Sequence, residues 1–307
     1  MRKLLIPICL VIVLALLALI QLTQTYNLNI NSSYSNVFQN LTTAKGWAKW
    51  YSPFNNKDAG IAINSTGGFK IQYASSVVAL KQKGLGAFDV EVTDGYNVTQ
   101  YACFVTASDT LGITKLYVSR KANMLKYIWW LIKDTKSKTF VYDLKSYLED
   151  ARKYYGFVIN KQLAKEQLMM VKRQKINNNN ICQSNRAALR SLLDFSSINK
   201  LKITGPVQLQ YLTSMNDSTE IMVGFPVAKK QGEGAGIQYM DTHSGKILVG
   251  YFKGKYKDRE KLYAAMSLYL ADHYLHEQTK PFEKFKDNQL PTDNDGTVEL
   301  ELIIPYV

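Results

Sequence analysis

Hydrophobic and polar positions alternate with a period of two through much of the first half of the chain, a pattern that predicts strands. The alternation begins at Tyr26, Leu28 and Ile30, which asparagines separate. Five more strand-like segments, divided by glycine- and aspartate-containing turns, are Phe69–Tyr73, Val77–Gln82, Ala87–Thr93, Tyr96–Ala107 and Lys115–Ser119. Strands that follow one another across short turns predict an antiparallel meander.

Helical patterns flank this meander on both sides. Ser35 is a candidate N-cap for a short helix near residues 36–41. Apolar residues three and four apart predict a longer helix over Lys138–Tyr155. A strand, short helices, a meander and a long last helix can form a curved sheet that grips the helix around a cavity. We therefore predict an α+β domain over residues 25–155.

The second half of the chain repeats its own pattern. The first copy is predicted as strand, helix, strand and strand, at Phe157–Met170, Ile181–Ser197, Val207–Thr213 and Glu220–Ala228. The second copy has the same order, at Gly236–Lys253, Asp258–His276, Phe282–Phe285 and Val298–Pro305. Pro226 and Pro305 close the copies, and aligning them places Glu220 opposite Glu299. An internal duplication over residues 156–307 therefore predicts one curved sheet with both helices behind it.

The N-terminal segment has the pattern of a membrane anchor. Leu4–Ile20 is a run of 17 residues without a charge, about 26 Å long as a helix. Arg2 and Lys3 precede it and Gln21–Ala44 carries no charge, which predicts a cytoplasmic N-terminus. A cleaved signal peptide is the alternative, although no small-residue cleavage motif follows the run. We expect a transmembrane signal anchor over residues 1–24 of a single-pass bacterial inner-membrane protein, with the later domains outside the cytoplasm.

Composition and charge narrow the classes of function. The chain has 38 Lys and Arg against 25 Asp and Glu, a net charge of +13. These cations are dispersed, which favours attraction to anionic lipid over recognition of nucleic acid. Three cysteines without a CxxC pair and three histidines without zinc spacing predict no metal site. We expect no cofactor and no nucleic-acid partner, and we expect His273 and His276 to be cations at the negative end of their helix.

An aromatic turn carries the first family resemblance. Val37-Phe38, followed by Trp47-Ala48-Lys49-Trp50-Tyr51-Ser52-Pro53, resembles a phrase of the START-like, polyketide-cyclase-type (SRPBCC) helix-grip domains. The resemblance covers Tyr26–Tyr155 and implies a helix-grip fold. Trp47 and Trp50 either plug the space between helices and sheet or contact a ligand in an apolar pocket.

Motifs in the repeated half carry a second resemblance. They are Glu220 with Gly224-Phe225-Pro226-Val227, then Gly254-Lys255-Tyr256, Pro281-Phe282-Glu283-Lys284-Phe285 and Glu299-Leu300-Glu301-Leu302-Ile303-Ile304-Pro305. They resemble the GyrI-like small-molecule-binding domain, the effector-binding module of multidrug-sensing regulators. Lys255 replaces the proline of the family's Gly-Pro-Tyr, and Phe285 stands where the family has a tyrosine. The resemblance implies a ligand between the repeats, facing an acidic residue of the last strand that falls on Glu301.

The last strand gives its own chemical argument. Its apolar residues alternate with Glu299 and Glu301, so both carboxylates leave the face opposite the helices. A covered carboxylate suits a cationic aromatic ligand, whereas a solvated one is ordinary surface. Glu283 and Tyr256 are either pocket wall or structure. The candidate ligand-binding residues are Glu301, Glu283, Tyr256, Glu299, Trp47 and Trp50.

Together these patterns predict a membrane-anchored protein that binds or senses a small hydrophobic or cationic molecule. No helix-turn-helix precedes the second half, so the resemblance does not extend to DNA-binding regulation. One alternative is a hydrolase of small electrophiles, with Glu301 or Glu283 as general base and a neighbouring tyrosine that polarises the leaving group. Another is a lipid carrier that uses the helix-grip cavity. Catalysis therefore stays open at the level of sequence.

Overall fold

The computed structural model describes residues 17–54, 62–65, 67–95, 97–132, 140–214, 217–234 and 236–307. The chain divides into two compact units, Met1–Asp150 and Ala151–Val307. The helix predicted over Lys138–Tyr155 is two helices, and Asp150 between them is the last residue of the first unit.

Most of the predicted anchor lies outside the described residues, because Leu4–Ile20 is described only from residue 17. Among the helices of the described ranges, none has both the length and the apolarity to cross a bilayer. Residues 21–24, predicted as the end of the anchor, belong to a strand that begins at Gln21.

The first unit contains a seven-stranded antiparallel sheet of order β1-β7-β6-β5-β4-β3-β2. The strands are β1 (Gln21–Ile30), β2 (Ala62–Ser65), β3 (Gly68–Tyr73), β4 (Ser76–Gln82), β5 (Ala87–Asp94), β6 (Asn97–Ala107) and β7 (Thr114–Asn123). The helices are α1 (Tyr34–Thr42), α2 (Ala44–Trp50), α3 (Met124–Ile132) and α4 (Phe140–Glu149). The predicted meander is confirmed, and the sequence pattern missed β2, which is only four residues long.

Side-chain caps explain where the short helices of this unit begin. Ser33, in an extended conformation, accepts a hydrogen bond from the backbone N–H of Asn36 and starts α1. The predicted cap, Ser35, lies inside the helix, so that prediction was wrong by two residues. Thr43 ends α1 and caps α2 by accepting a bond from the N–H of Gly46.

The second unit contains an eight-stranded sheet of order β12-β9-β11-β10-β14-β15-β13-β8. Its strands are β8 (Ile159–Ala164), β9 (Gln167–Asn177), β10 (Gln208–Ser214), β11 (Ser218–Pro226), β12 (Ile237–Thr242), β13 (Gly245–Lys255), β14 (Phe282–Phe285) and β15 (Thr297–Pro305). Its helices are α5 (Ala151–Tyr155), α6 (Ile181–Ile198) and α7 (Glu260–Asp272). The opening strand predicted for each copy is interrupted near its middle, at residues 165–166 and at residues 243–244, so each copy is strand–strand–helix–strand–strand. The two interrupted strands pair with each other across the copies, β9 with β12 and β8 with β13.

The sheet of the second unit has pseudo-two-fold symmetry. The strands β8, β9, β10 and β11 of the first copy correspond to β12, β13, β14 and β15 of the second. When each strand is replaced by its equivalent, the strand order is the same as the original order read from the other edge of the sheet. The central pair, β10 and β14, joins the two copies at the axis, with Leu209 opposite Glu283. Val223 faces Leu209, and its equivalent Leu302 faces Glu283. The duplication therefore places a leucine from one copy and a glutamate from the other on the axis itself.

Both long helices of the second unit pack on one face of this sheet. Leu192 of α6 and Leu262 of α7 belong to one buried apolar cluster. The alternating apolar residues of β15 join the same cluster: Val298, Leu300, Leu302 and Ile304. The prediction that this face of the last strand packs on the helices is confirmed.

His273 ends α7 and does not carry the charge that its position predicts. Its ring packs against that of Tyr269 at a tilt of 48°, with centroids 4.1 Å apart. Burial, with the charge of Lys161 nearby, lowers the pKa of His273 to about 4. The imidazole is therefore neutral at pH 7, because desolvation outweighs attraction to the helix dipole.

This lowered pKa predicts an acid-sensitive stability. In the unfolded chain histidine has a pKa of about 6.5. Between that pH and about 4, the unfolded state therefore binds a proton at His273 and the folded state does not. The free energy of unfolding is therefore expected to fall by about 1–3 kcal/mol between pH 6.5 and 4 on account of His273. Urea denaturation of His273→Gln at both pH values is expected to show a smaller loss than the wild type. The exposed His276 provides the control, and equal pH dependence in His273→Gln and His276→Gln would contradict the assignment.

Candidate functional site

Glu283 is the centre of a buried polar cluster on the helix-facing side of the second unit. Its carboxylate has 0 % exposure. Oε1 accepts hydrogen bonds from Arg259 Nε at 2.7 Å and from the Tyr263 hydroxyl at 3.0 Å. Oε2 accepts one from the Tyr256 hydroxyl at 2.8 Å, and the Tyr211 hydroxyl lies 2.8 Å from that of Tyr256. These five residues are called the Glu283 cluster below.

Three members of the cluster come from one stretch of chain. Tyr256 and Arg259 lie in the 3-10 turn that follows β13, and Tyr263 lies in the first turns of α7. Spacings of three and four residues put all three side chains on one face of a helical segment. This spacing is visible in the sequence, but the sequence patterns singled out only Tyr256 and missed Arg259, Tyr263 and Tyr211.

Burial and the ion pair set the protonation of the cluster. Burial raises the pKa of Glu283, and the Arg259 guanidinium opposes that rise. Burial disfavours the charge of Arg259, but the carboxylate of Glu283 more than offsets it and raises the pKa of the guanidinium. Burial, then the negative charge of Glu283, raises the pKa of Tyr211 to about 12 and also that of Tyr263. The tyrosines are therefore neutral hydroxyls, and the two charges of the cluster cancel.

Arg259 is held against aromatic rings as well as against the carboxylate. Its guanidinium carbon lies 3.7 Å from the ring centroid of Tyr256 and 5.8 Å from that of Tyr211. Nη1 donates to the backbone oxygen of Tyr256 at 3.1 Å. Nη2 lies 3.6 Å from Glu260, and the Arg259 side chain is 14 % exposed. Arg259 therefore closes the cluster toward solvent.

The helix of the first copy adds a polar side chain to the same site. Asn185 of α6 is fully buried, and its amide lies close enough to the Tyr211 hydroxyl for a weak hydrogen-bonding interaction that lowers the pKa of that phenol. Within the described part of the chain, neither its oxygen nor its nitrogen reaches the distance and angle of a full hydrogen bond. One turn earlier, burial raises the pKa of the Cys182 thiol, and the nearby charges of Arg259 and Glu283 act on that pKa in opposite directions. The site is thus built from both repeats.

Glu301 and Glu299 leave the opposite face of the sheet, as predicted. Glu301 accepts a bond from Lys284 at 3.1 Å, and both line a groove of about 360 Å³ beside Pro206. Glu299 forms ion pairs with two lysines, Lys253 and Lys286. Glu283 projects into the helix side instead, so no single pocket includes both Glu283 and Glu301.

Trp47 and Trp50 fill the interior of the first unit. Trp47 Nε1 donates to the oxygen of Leu41 at 2.6 Å, and Trp50 Nε1 donates to that of Asn40 at 3.1 Å. Both rings pack against Phe140 of α4. Since each indole already has a backbone partner, the geometry favours the plug over the ligand contact.

A separate groove of about 440 Å³ lies along β1 in the first unit. Residues 23–27 line it, together with Tyr127 and Tyr142. Neither Trp47 nor Trp50 is among its lining residues, and threonine, glutamine and asparagine make up much of its wall. This polar lining does not suit an acyl chain, which packs against apolar side chains.

No protein-family model matches the chain, and no curated protein matches it significantly. Among solved structures, the EcmrR–DNA complex in EcmrR-RPo shares 13% identity over 60% of this chain and 69% of that chain, with a TM-score of 0.45. The EcmrR C-terminal domain shares 12% over 49% and 98%, with a TM-score of 0.42. SAV2435 bound to tetraphenylphosphonium shares 13% over 49% and 94%, with a TM-score of 0.32. At TM-scores below 0.5, no ligand or activity is transferred from them.

The fold and the site together define a duplicated α+β module with a buried polar site between its repeats. The duplication and the single sheet with both helices on one face agree with the GyrI-like resemblance of the second unit. The first unit has the predicted order of strand, short helices, meander and last helix, and its START-like family stays a prediction. Within the described residues, no group of three or more His, Cys, Asp or Glu side chains is arranged to hold a metal.

Proposed function

We propose that the second unit binds a small hydrophobic, aromatic molecule between its repeats, and that the protein is a ligand-binding or sensing protein. The observation that carries the proposal is Asn185, a fully buried amide beside the Glu283 cluster that makes no full hydrogen bond in the described chain and interacts only weakly with Tyr211. Proteins pair nearly all buried polar atoms, so a buried amide of this kind calls for an explanation, and a ligand that pairs with it is one.

The chemistry around Asn185 fits a flat molecule with a polar edge. The amide offers a donor and an acceptor side by side, while Tyr211, Tyr256 and Tyr263 contribute ring faces and hydroxyls. A planar aromatic amide or amine can pair with the amide and stack on a ring at once. The predicted preference for cations depends on Glu283, whose charge Arg259 already balances.

Replacing Asn185 by an apolar residue is expected to raise the stability of the protein and to weaken its binding of the ligand. Leucine has a similar volume and needs no hydrogen-bond partner, so Asn185→Leu is expected to raise the free energy of unfolding by about 1–2 kcal/mol. The same change removes the polar contact and is expected to weaken binding of 2-naphthamide about tenfold or more. Chemical denaturation and titration calorimetry on the full chain measure the two effects.

Asn40 is the matched control for this experiment. It is also a buried asparagine, but its Nδ2 donates to the backbone oxygen of Asn36 at 2.9 Å. Asn40→Leu is therefore expected to lower stability by about 1–3 kcal/mol. If Asn185→Leu destabilises the chain as Asn40→Leu does, the Asn185 amide is structural and the proposal loses its support.

The two alternatives from the sequence are less favoured. A general base must reach a reacting proton, yet both oxygens of Glu283 already accept hydrogen bonds from Arg259, Tyr256 and Tyr263. Glu301 is engaged by Lys284. Lipid carriage fits poorly with the polar groove of the first unit. Binding therefore remains the better account.

We also propose that residues 4–20 anchor the chain in a bacterial inner membrane with both units outside the cytoplasm. The support is the uncharged run after Arg2 and Lys3. Alkaline phosphatase fused after Val307 is expected to be active. An inactive alkaline phosphatase fusion, together with a fluorescent cytoplasmic reporter fused at the same position, would contradict this orientation.

A further inference from the structure

Arg259 occupies the place in the Glu283 cluster that an organic cation would take. A buried carboxylate and aromatic faces are the two features that recognise a hydrophobic cation. The Arg259 guanidinium uses both, with Nε 2.7 Å from Glu283 Oε1 and its carbon 3.7 Å from the centroid of Tyr256. The arginine is the more exposed member of the ion pair, at 14 % against 0 % for Glu283.

We propose that Arg259 is a tethered occupant of the cation position at Glu283, so that an organic cation binds this site only by displacing the guanidinium. The inference rests on the proposed binding site and specifies how that site selects its ligands. Wild-type protein then takes uncharged aromatic molecules readily and excludes cations, because a second positive charge would lie beside Arg259. Displacement moves Arg259 toward solvent, where Glu260 already lies 3.6 Å from Nη2.

The two copies of the repeat differ at the position of this carboxylate. The residue equivalent to Glu283 in the other copy is Leu209, its neighbour across the axis. A leucine there shows that the repeat tolerates an apolar residue at this position. The carboxylate of the ion pair is therefore present in one copy only, and a buried ion pair is often no more stabilising than apolar packing of similar volume.

Chemical rescue tests the occupancy directly. Arg259→Ala in the full chain leaves a space the size of the guanidinium above Glu283. Ethylguanidinium at about 10 mM, a concentration far below that of a denaturant, is expected to raise the melting temperature of this variant by several degrees. The neutral isostere ethylurea is expected to leave it unchanged, and neither compound is expected to stabilise the wild type. Arg259→Ala/Glu283→Gln, which lacks the carboxylate, is expected to lose the response.

Two aromatic probes of the same shape then test selectivity. N-methylquinolinium is a cation, and 1-methylnaphthalene is its neutral counterpart. Arg259→Ala is expected to bind N-methylquinolinium at least tenfold more tightly than the wild type, with less than threefold change for 1-methylnaphthalene. Arg259→Lys retains the charge and is expected to exclude the cation as the wild type does.

The outcomes separate this inference from the proposed function. If ethylguanidinium and ethylurea act alike on Arg259→Ala, or if the wild type binds N-methylquinolinium as tightly as the variant, the tethered occupant is refuted. If rescue succeeds while neither aromatic probe binds any variant, Arg259 occupies a cation position but the proposed aromatic ligand is refuted. Should Arg259→Ala fail to fold alone, recovery of folded protein with ethylguanidinium and not with ethylurea supports the tethered occupant equally.

Discussion

Arg259→Met is expected to lower the free energy of unfolding of the second unit by about 3–5 kcal/mol, because it leaves a buried carboxylate without its counter-ion. Glu283 has no exposed surface, so it must either remain charged in an apolar interior or take up a proton. Both cost free energy. Urea denaturation at pH 7.5, followed by far-UV circular dichroism, measures the loss.

The paired replacement provides the decisive comparison. Arg259→Met/Glu283→Leu removes both charges and gives the second copy the leucine that the first copy has at Leu209. This double variant is expected to recover part of the loss, because apolar packing replaces a buried ion pair at little cost, while the hydroxyls of Tyr256 and Tyr263 lose their acceptor. A coupling energy near zero in the double-mutant cycle would contradict the assigned ion pair.

An exposed ion pair of the same unit is the control. Lys261 and Asp258 lie 2.8 Å apart, with side chains 72% and 38% exposed. Lys261→Met is expected to change stability by less than about 1 kcal/mol, because solvent screens such pairs. A loss as large as that of Arg259→Met would show that charge removal in general, rather than burial, is responsible.

Trp47→Ala is expected to destabilise the first unit by about 3–5 kcal/mol, the cost of a large cavity in a packed interior. The Trp47 ring is fully buried, and its indole N–H also loses its bond to the oxygen of Leu41. Hydrogen exchange of the β1 and β7 amides measures the stability of this unit separately from that of the second.

Phe104, an aromatic residue of β6 in the same unit with 45% exposure, is the control for Trp47. Phe104→Ala is expected to cost less than about 1 kcal/mol. A Trp47→Ala variant as stable as Phe104→Ala would contradict the plug and restore the ligand-contact interpretation of this tryptophan.

The sequence predicted the strands and helices well because their signals are local. The apolar faces of β15 and α6 follow periods that only neighbouring residues set. The same rule missed a break in the opening strands of the two repeats, Phe157–Met170 and Gly236–Lys253. Two residues separate β8 from β9 and β12 from β13, while the pairing between the two opening strands continues in one register on both sides of the break.

Some residues of the candidate site were likewise predicted from local motifs, and others were not. Glu283 and Tyr256 were selected through family motifs, and the structure brings them together at 2.8 Å. Arg259 and Tyr211 were missed because their importance is a property of the contact, not of the local pattern. Tyr211 is 45 residues from Tyr256 in the chain.

The duplication, the element order and the outward face of Glu299 and Glu301 follow from local patterns, because the alternation from Thr297 to Leu302 leaves one choice of face. The face of Glu283 depends instead on how the strands pair. Its strand, Phe282–Phe285, has a phenylalanine on each face, so either face could be buried. The pairing of β14 with β10 and β15 resolved this ambiguity by setting Glu283 beside Leu209 and Leu302, under the helices and within reach of Arg259.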